Sequence, residues 1–293
     1  MSWDLYLFRK NDEPLNWDEV VAYFRKQPNF FDLSNGWFRY YNKATGVYCT
    51  FGPPDGSEDE EDEENEGFPV HEADVWFNLN YLRATFFASE SLQVLEDFAK
   101  TFDLLVFDPQ NWDQKAPCPF DYDALLKTWK EGNLFALRSI EKKPPFLSPD
   151  RSEILWKYLR SRKELQAQVG EEIFVPALGI VRKNPGDTVL QIMTLWNDAI
   201  PQVFPPCDLV LVGRERKLAL FRRKWDWEAI PYAKVMDMFG EYMDPFEGPV
   251  PGMKILRPDR ARQVERTFRE VKLDTKRNRV RAVEFDEFVD VQV

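Results

Sequence analysis

The sequence predicts an α+β protein of two units, and three observations carry that expectation. Over residues 1–110 the hydrophobic pattern runs strand, helix, hairpin, strand, helix, strand. That is the order of a ferredoxin-like antiparallel sheet with an extra hairpin strand and two helices on one face. A length of 293 residues is enough for two cores of ordinary size. Hydrophobic residues at 44%, charged residues at 30% and aromatics at 15% are the mixture of a folded chain. The expected organisation is a first unit over 1–110, a connector over 111–148 and a second α+β unit over 149–293.

Each element has a local reason. SWDLYLF (2–8) alternates apolar and polar side chains, as a half-buried strand does. Asn16 can cap the next helix, with Asp18 and Glu19 in its first turn and Trp17, Val20, Val21 and Phe24 at helical spacing until Pro28 stops it. WFRYY (37–41) and VYCTF (47–51) flank a turn with Asn42 and Gly46, hence a hairpin. VWFNLNYLRATFFA (75–88) reads as one long strand, and Ser89 as the cap of a helix over 89–102 with Leu92, Leu95, Phe98 and Ala99 on one face. DLLVFD (103–108) closes the unit as a strand.

Residues 111–148 change in texture, with a short helix at 121–133 and a boundary at Pro144 and Pro145. Ser148 with Pro149 opens a helix carrying Leu155, Tyr158 and Leu165 on its apolar side, followed by a strand within 172–181. Asp187 is placed to cap a helix over 188–200, and a hairpin is expected to turn at GRERK (213–217). Two helices, 227–243 and 258–271, and a strand over 280–293 complete the chain.

Composition prunes function. Cys49, Cys118 and Cys207 form no C-x-x-C pair, and His71 is the only histidine, so disulfide frameworks, thiolate zinc sites and His-rich metal sites are not suggested. No cofactor is implied. No run approaches the ~18 apolar residues of a membrane span, and the start of the chain is charged at Asp4, Arg9 and Lys10, so a cytoplasmic protein is expected. The chain lacks a P-loop, a G-x-G-x-x-G after a strand, an H-E-x-x-H and a G-x-S-x-G.

Charge is unevenly distributed. Nine of the twelve residues from Asp55 to Glu66 are acids, supplying −9 of a formal −11, so the remainder carries only −2. Residues 254–281 carry eleven Lys or Arg against four acids. Such bipolarity favours charged partners. The acids Glu58, Asp59, Glu60, Glu61 and Asp62 are candidate contacts for a basic protein, and Trp225 and Trp227 are candidate anchors of the type that dominates protein interfaces, with Trp112 and Trp129 also of that type. Arg262, Arg266 and Arg269 fall on one side of a helix as a basic patch, the third reading being nucleic acid, which the acidic balance of the whole chain argues against.

An enzyme reading would rest on carboxylate pairs, at Asp121 and Asp123, Asp226 and Glu228, or Asp237 and Glu241, with metal assistance as an option. His71 beside Glu72 as base and Cys49 as nucleophile are the remaining candidates. TGVYCTF (45–51) bears some likeness to the aromatic sheet motif of RNA-recognition modules, through Tyr48 and Phe51.

The opening MSWDL resembles the M-S-[YW]-D-L start of small uncharacterised bacterial proteins. In composition and architecture the chain also resembles acidic cytosolic immunity proteins that neutralise contact-delivered toxins. That resemblance carries no motif and transfers no residue. It implies one-to-one binding of a cognate toxin, acidic groups meeting a basic surface.

Overall fold

The computed structural model describes residues 1–10, 15–34, 36–53, 73–184, 186–219, 222–273 and 280–292. The acidic stretch, His71 with Glu72, and Lys276, Arg277 and Arg279 lie outside the described residues. The chain is mixed α+β and divides into two compact units, one of Met1–Pro144 with Asp286–Val293, the other of Pro145–Phe285.

The first unit contains β1 (Ser2–Arg9), α1 (Trp17–Lys26), β2 (Phe30–Ser34), β3 (Trp37–Tyr41), β4 (Tyr48–Gly52), β5 (Val75–Asn80), α2 (Thr85–Phe102), β6 (Leu104–Phe107), β7 (Cys118–Pro119) and α3 (Tyr122–Ser139). Its seven strands form one sheet in the order β2-β3-β4-β5-β1-β6-β7, each neighbouring pair antiparallel. Alternation in β1 puts Trp3, Leu5 and Leu7 in the core. Asn16 caps α1 by accepting from the Asp18 amide at 3.1 Å. Phe24 on α1 stacks on Phe98 of α2 at 4.9 Å and sits 5.0 Å from both Phe38 and Phe51, so the two helices and the sheet share an aromatic core.

Three expectations fail in this unit. The strand expected over 75–88 ends at Asn80, because Leu82 turns the chain with φ +61°. Asn133 of α3 holds that turn, its Oδ1 accepting from the Leu82 amide at 2.6 Å and its Nδ2 donating to the Arg83 carbonyl at 3.1 Å. α2 then starts at Thr85, four residues before Ser89. Of the connector expected over 111–148, residues 111–144 belong to the first unit, where they supply β7 and α3, and α3 packs on α2 with Trp129 fully buried.

The second unit contains α4 (Pro149–Arg160), α5 (Arg162–Val169), β8 (Leu178–Arg182), β9 (Gln191–Asn197), β10 (Gln202–Phe204), β11 (Leu209–Ala219), β12 (Arg222–Pro231), α6 (Tyr232–Phe239), β13 (Asp244–Pro245), β14 (Lys254–Leu256), α7 (Pro258–Glu270) and β15 (Arg281–Val283). A five-stranded sheet runs β12-β11-β9-β8-β15, with β11 parallel to β9, and a small sheet runs β10-β14-β13. One face of the larger sheet packs Trp196, Val210, Val212 and Ile230 against Val235 and Phe239 of α6 and Val264 and Phe268 of α7.

The helix expected over 188–200 is the strand β9. Ile192, Thr194 and Trp196 are buried and alternate with half-buried neighbours, a period of two. Asp187 instead closes a turn, accepting from the Asn184 amide at 2.9 Å. The hairpin does not turn at GRERK, which continues β11. Paired register runs unbroken from Leu209–Pro231 to Lys217–Arg223. The helix expected over 227–243 begins only at Tyr232, since Trp227 lies in β12. The strand expected over 280–293 is three residues long, and Phe288, Val289 and Asp290 are buried in the first unit. Among the described residues no helix is long and apolar enough to cross a membrane.

Candidate functional site

β12 places Trp225 and Trp227 two residues apart, hence on one face of the sheet. Their rings stack with centroids 5.2 Å apart at 19° and remain 40% and 37% exposed. The position of Trp227 depends on a glycine. Gly213 is its cross-strand partner, and a Cβ there would lie 2.1 Å from the ring, so the indole takes the space a side chain would fill. The same face continues through Leu211 and Leu195, paired in register, and through Met193, all half-buried. The result is an apolar strip ended by an aromatic pair.

The opposite face explains the carboxylates. Asp226 is buried and paired in register with Arg214, while Glu228 pairs in register with Val212. Asp237 and Glu241 are exposed, on α6 and on the short turn after it. Asp121 caps α3, accepting from the Ala124 amide at 3.0 Å, with exposed Asp123 in the first turn. Asp121 thus closes a helix end, Asp123, Asp237 and Glu241 face solvent, and Asp226 and Glu228 lie on β12. Among the described residues no group of three or more His, Cys, Asp or Glu is placed to hold a metal. Cys49 is fully buried, and burial pushes its thiol up to about 12, which removes it as a nucleophile.

The basic patch on α7 is exposed, but two of its members are answered on their own helix. Arg266 lies 3.5 Å from Glu270, and Arg269 pairs with Glu265. Arg262 is exposed beside them. This is a solvated helix face more than a phosphate track. The RNA-module likeness also dissolves: Phe51 is fully buried against Phe24, Phe77 and Phe98. Tyr48, on the other face, accepts from Arg83 at 2.8 Å and lies 3.5 Å from Asp286. Glu58, Asp59, Glu60, Glu61 and Asp62 lie outside the described residues.

Sequence reasoning missed a groove in the first unit, with a volume of about 710 Å³, between the 108–113 loop and α3. Trp112 and Phe135 stand on its walls, 88% and 70% exposed. At its base Asp108 is buried and accepts from the Trp3 indole N–H at 3.0 Å and from the Gln110 amide at 2.9 Å. Only residue type flags Trp112; nothing local predicts that Phe135, inside a helical pattern, points outward.

Burial raises the Asp108 carboxyl above its ordinary value, the Trp3 and Gln110 donors opposing the rise. Because the folded state holds this proton more tightly, its contribution to stability is present below the ordinary aspartate range and is lost as pH rises through the raised value. Asp108→Asn should therefore gain stability relative to the parent chain on going from pH 4 to pH 7. Hydrogen exchange of the β1 and β6 amides across that range reads the difference; parallel pH profiles for the two proteins would contradict it.

Comparison with family models, with curated proteins and with solved structures gives no match.

Proposed function

We propose that the chain is a protein-binding module whose second unit uses the Trp225–Trp227 stack as an anchor. The observation that carries this is the pair's geometry: two adjacent indoles, stacked and about two-fifths exposed, at the end of a half-buried apolar strip. Partly exposed tryptophans fixed by their own backbone are the side chains that contribute most when an interface closes over them. Glycine at 213 leaves room for the Trp227 ring, which supports an anchor held ready before binding.

The partner we infer is basic. Glu58, Asp59, Glu60, Glu61 and Asp62 belong to a stretch that carries most of the net charge, which supports steering of a positive surface. The finer reading is a bacterial cytoplasmic immunity protein or antitoxin that neutralises a toxin by direct binding, supported by the acidic balance and by the resemblance in composition and architecture. The strand order β4-β5-β1-β6, all antiparallel, with α1 after β1 and α2 after β5, supports a ferredoxin-like reading of the first unit's centre.

The test is co-purification with the product of the neighbouring gene, alongside protection in a co-expression toxicity assay. Trp225→Ala with Trp227→Ala should weaken that complex about thirtyfold, roughly 2 kcal/mol. Converting the five acids to their amides should slow association at low salt and leave dissociation nearly unchanged. Absence of both co-purification and protection would overturn the assignment; full binding by the double Trp variant would move the anchor elsewhere.

A further inference from the structure

The groove of the first unit has a chemistry of its own. Trp112 and Phe135 are the two most exposed large hydrophobic side chains among the described residues. At 88% exposure an indole contributes almost nothing to the core, so it does not act as filler. The acids lining the groove are Asp108, Asp113 and Glu131, and none of the lining side chains is basic.

Two lysines stand beside it: Lys127 lies 3.9 Å from Glu131 with both side chains exposed, a weak pairing, and the Lys115 ammonium donates to the Trp112 carbonyl at 2.6 Å and keeps its charge there. The base is tied by hydrogen bonds: Tyr81 Oη donates to Gln110 Oε1 at 3.0 Å, and Gln110 Nε2 donates to the Ser2 carbonyl at 3.1 Å. α3 can approach that tyrosine only because residue 132 is glycine, where a Cβ would sit 2.3 Å from the hydroxyl oxygen. A volume of about 710 Å³ lies within the range of sites that enclose a compact ligand group.

We propose that this groove takes an arginine side chain of a basic protein partner, its guanidinium lying on the Trp112 ring between Asp113 and Glu131. Aromatic faces attract cations, and acids on the rim add to the same field. A planar guanidinium both stacks on an indole and forks to carboxylates, which an ammonium cannot do, so arginine fits better than lysine. The site belongs to the first unit and the Trp225–Trp227 strip to the second, so the two assignments fail separately.

The experiment uses the full-length chain labelled with ¹⁵N, and a capped Ser-Arg-Ser-Arg-Ser peptide as the probe. The Trp112 indole N–H signal is identified by its loss in Trp112→Phe. It should move saturably with this peptide, less with the lysine analogue, and not with the glycine analogue. Trp112→Ala should weaken binding about fivefold to tenfold. Asp113→Asn with Glu131→Gln should weaken it about twofold to threefold and flatten its salt dependence. Both variants change exposed side chains, so folding is preserved, and Trp225→Ala with Trp227→Ala should leave peptide binding intact. A signal that does not move, equal response to the glycine peptide, or unchanged binding by Trp112→Ala would overturn the site. Equal or tighter binding of the lysine peptide would overturn the guanidinium assignment.

Discussion

Glu90→Ala is expected to destabilise the first unit by about 4 kcal/mol, the largest single-residue effect anticipated here. One carboxylate oxygen of this buried glutamate accepts three side-chain hydrogen bonds: from Tyr40 Oη at 3.0 Å, Asn42 Nδ2 at 2.7 Å and Thr45 Oγ1 at 3.0 Å. Those donors sit on the β3–β4 hairpin while Glu90 sits on α2, so the oxygen ties helix to sheet. Alanine leaves three donors facing a void, each costing about 1–3 kcal/mol when buried, though Asn42 can reach solvent and the costs do not add in full.

Glu90→Gln separates charge from shape. It keeps an acceptor oxygen and loses the charge-assisted strength, so roughly 1–2 kcal/mol is expected. Because the chain has two units, a single denaturation midpoint would mix them. Hydrogen exchange of amides in residues 37–52 reads the first unit alone. Protection in Glu90→Ala within about 0.5 kcal/mol of the parent chain would show that the network does not hold the hairpin.

What was legible in the sequence follows the range of the interactions involved. β1 and α1 were readable because alternation, the Asn16 cap and the Pro28 stop act within a few residues. Trp225 and Trp227 were recognisable by type, and their exposure could be learned only once β12 and Gly213 were in register. The start of α2 was not readable. Ala84 is its N-cap residue and offers no side-chain bond, so the nearest capping residue in sequence, Ser89, drew the boundary. β9 was misread because an apolar run of mixed spacing satisfies both periods, and the choice is made by packing on α6 and α7. The Trp112 groove needs α3 beside the 108–113 loop, a juxtaposition with no local signature.

The missing cap leads to the second large effect. Asp290→Ala should cost about 3 kcal/mol and release the tail that carries it. Asp290 is buried, and both its oxygens accept from the Thr85 amide, at 2.8 and 2.9 Å, while one also accepts from Thr85 Oγ1 at 2.8 Å. A residue 205 positions away thus supplies what Ala84 cannot, an anionic acceptor at the positive end of an 18-residue helix. Thr85→Val removes only the hydroxyl and should cost about 1 kcal/mol; Asp290→Asn keeps one acceptor and should fall between the two. Phe288, fully buried and 6.1 Å from Phe86, is the alternative fastening. If the tail is held mainly by that ring, Phe288→Ala will raise exchange across 286–292 while Asp290→Ala will not. If the cap dominates, Asp290→Ala will deprotect the first turn of α2 and the tail together, since the same carboxylate closes the helix and anchors the chain's return.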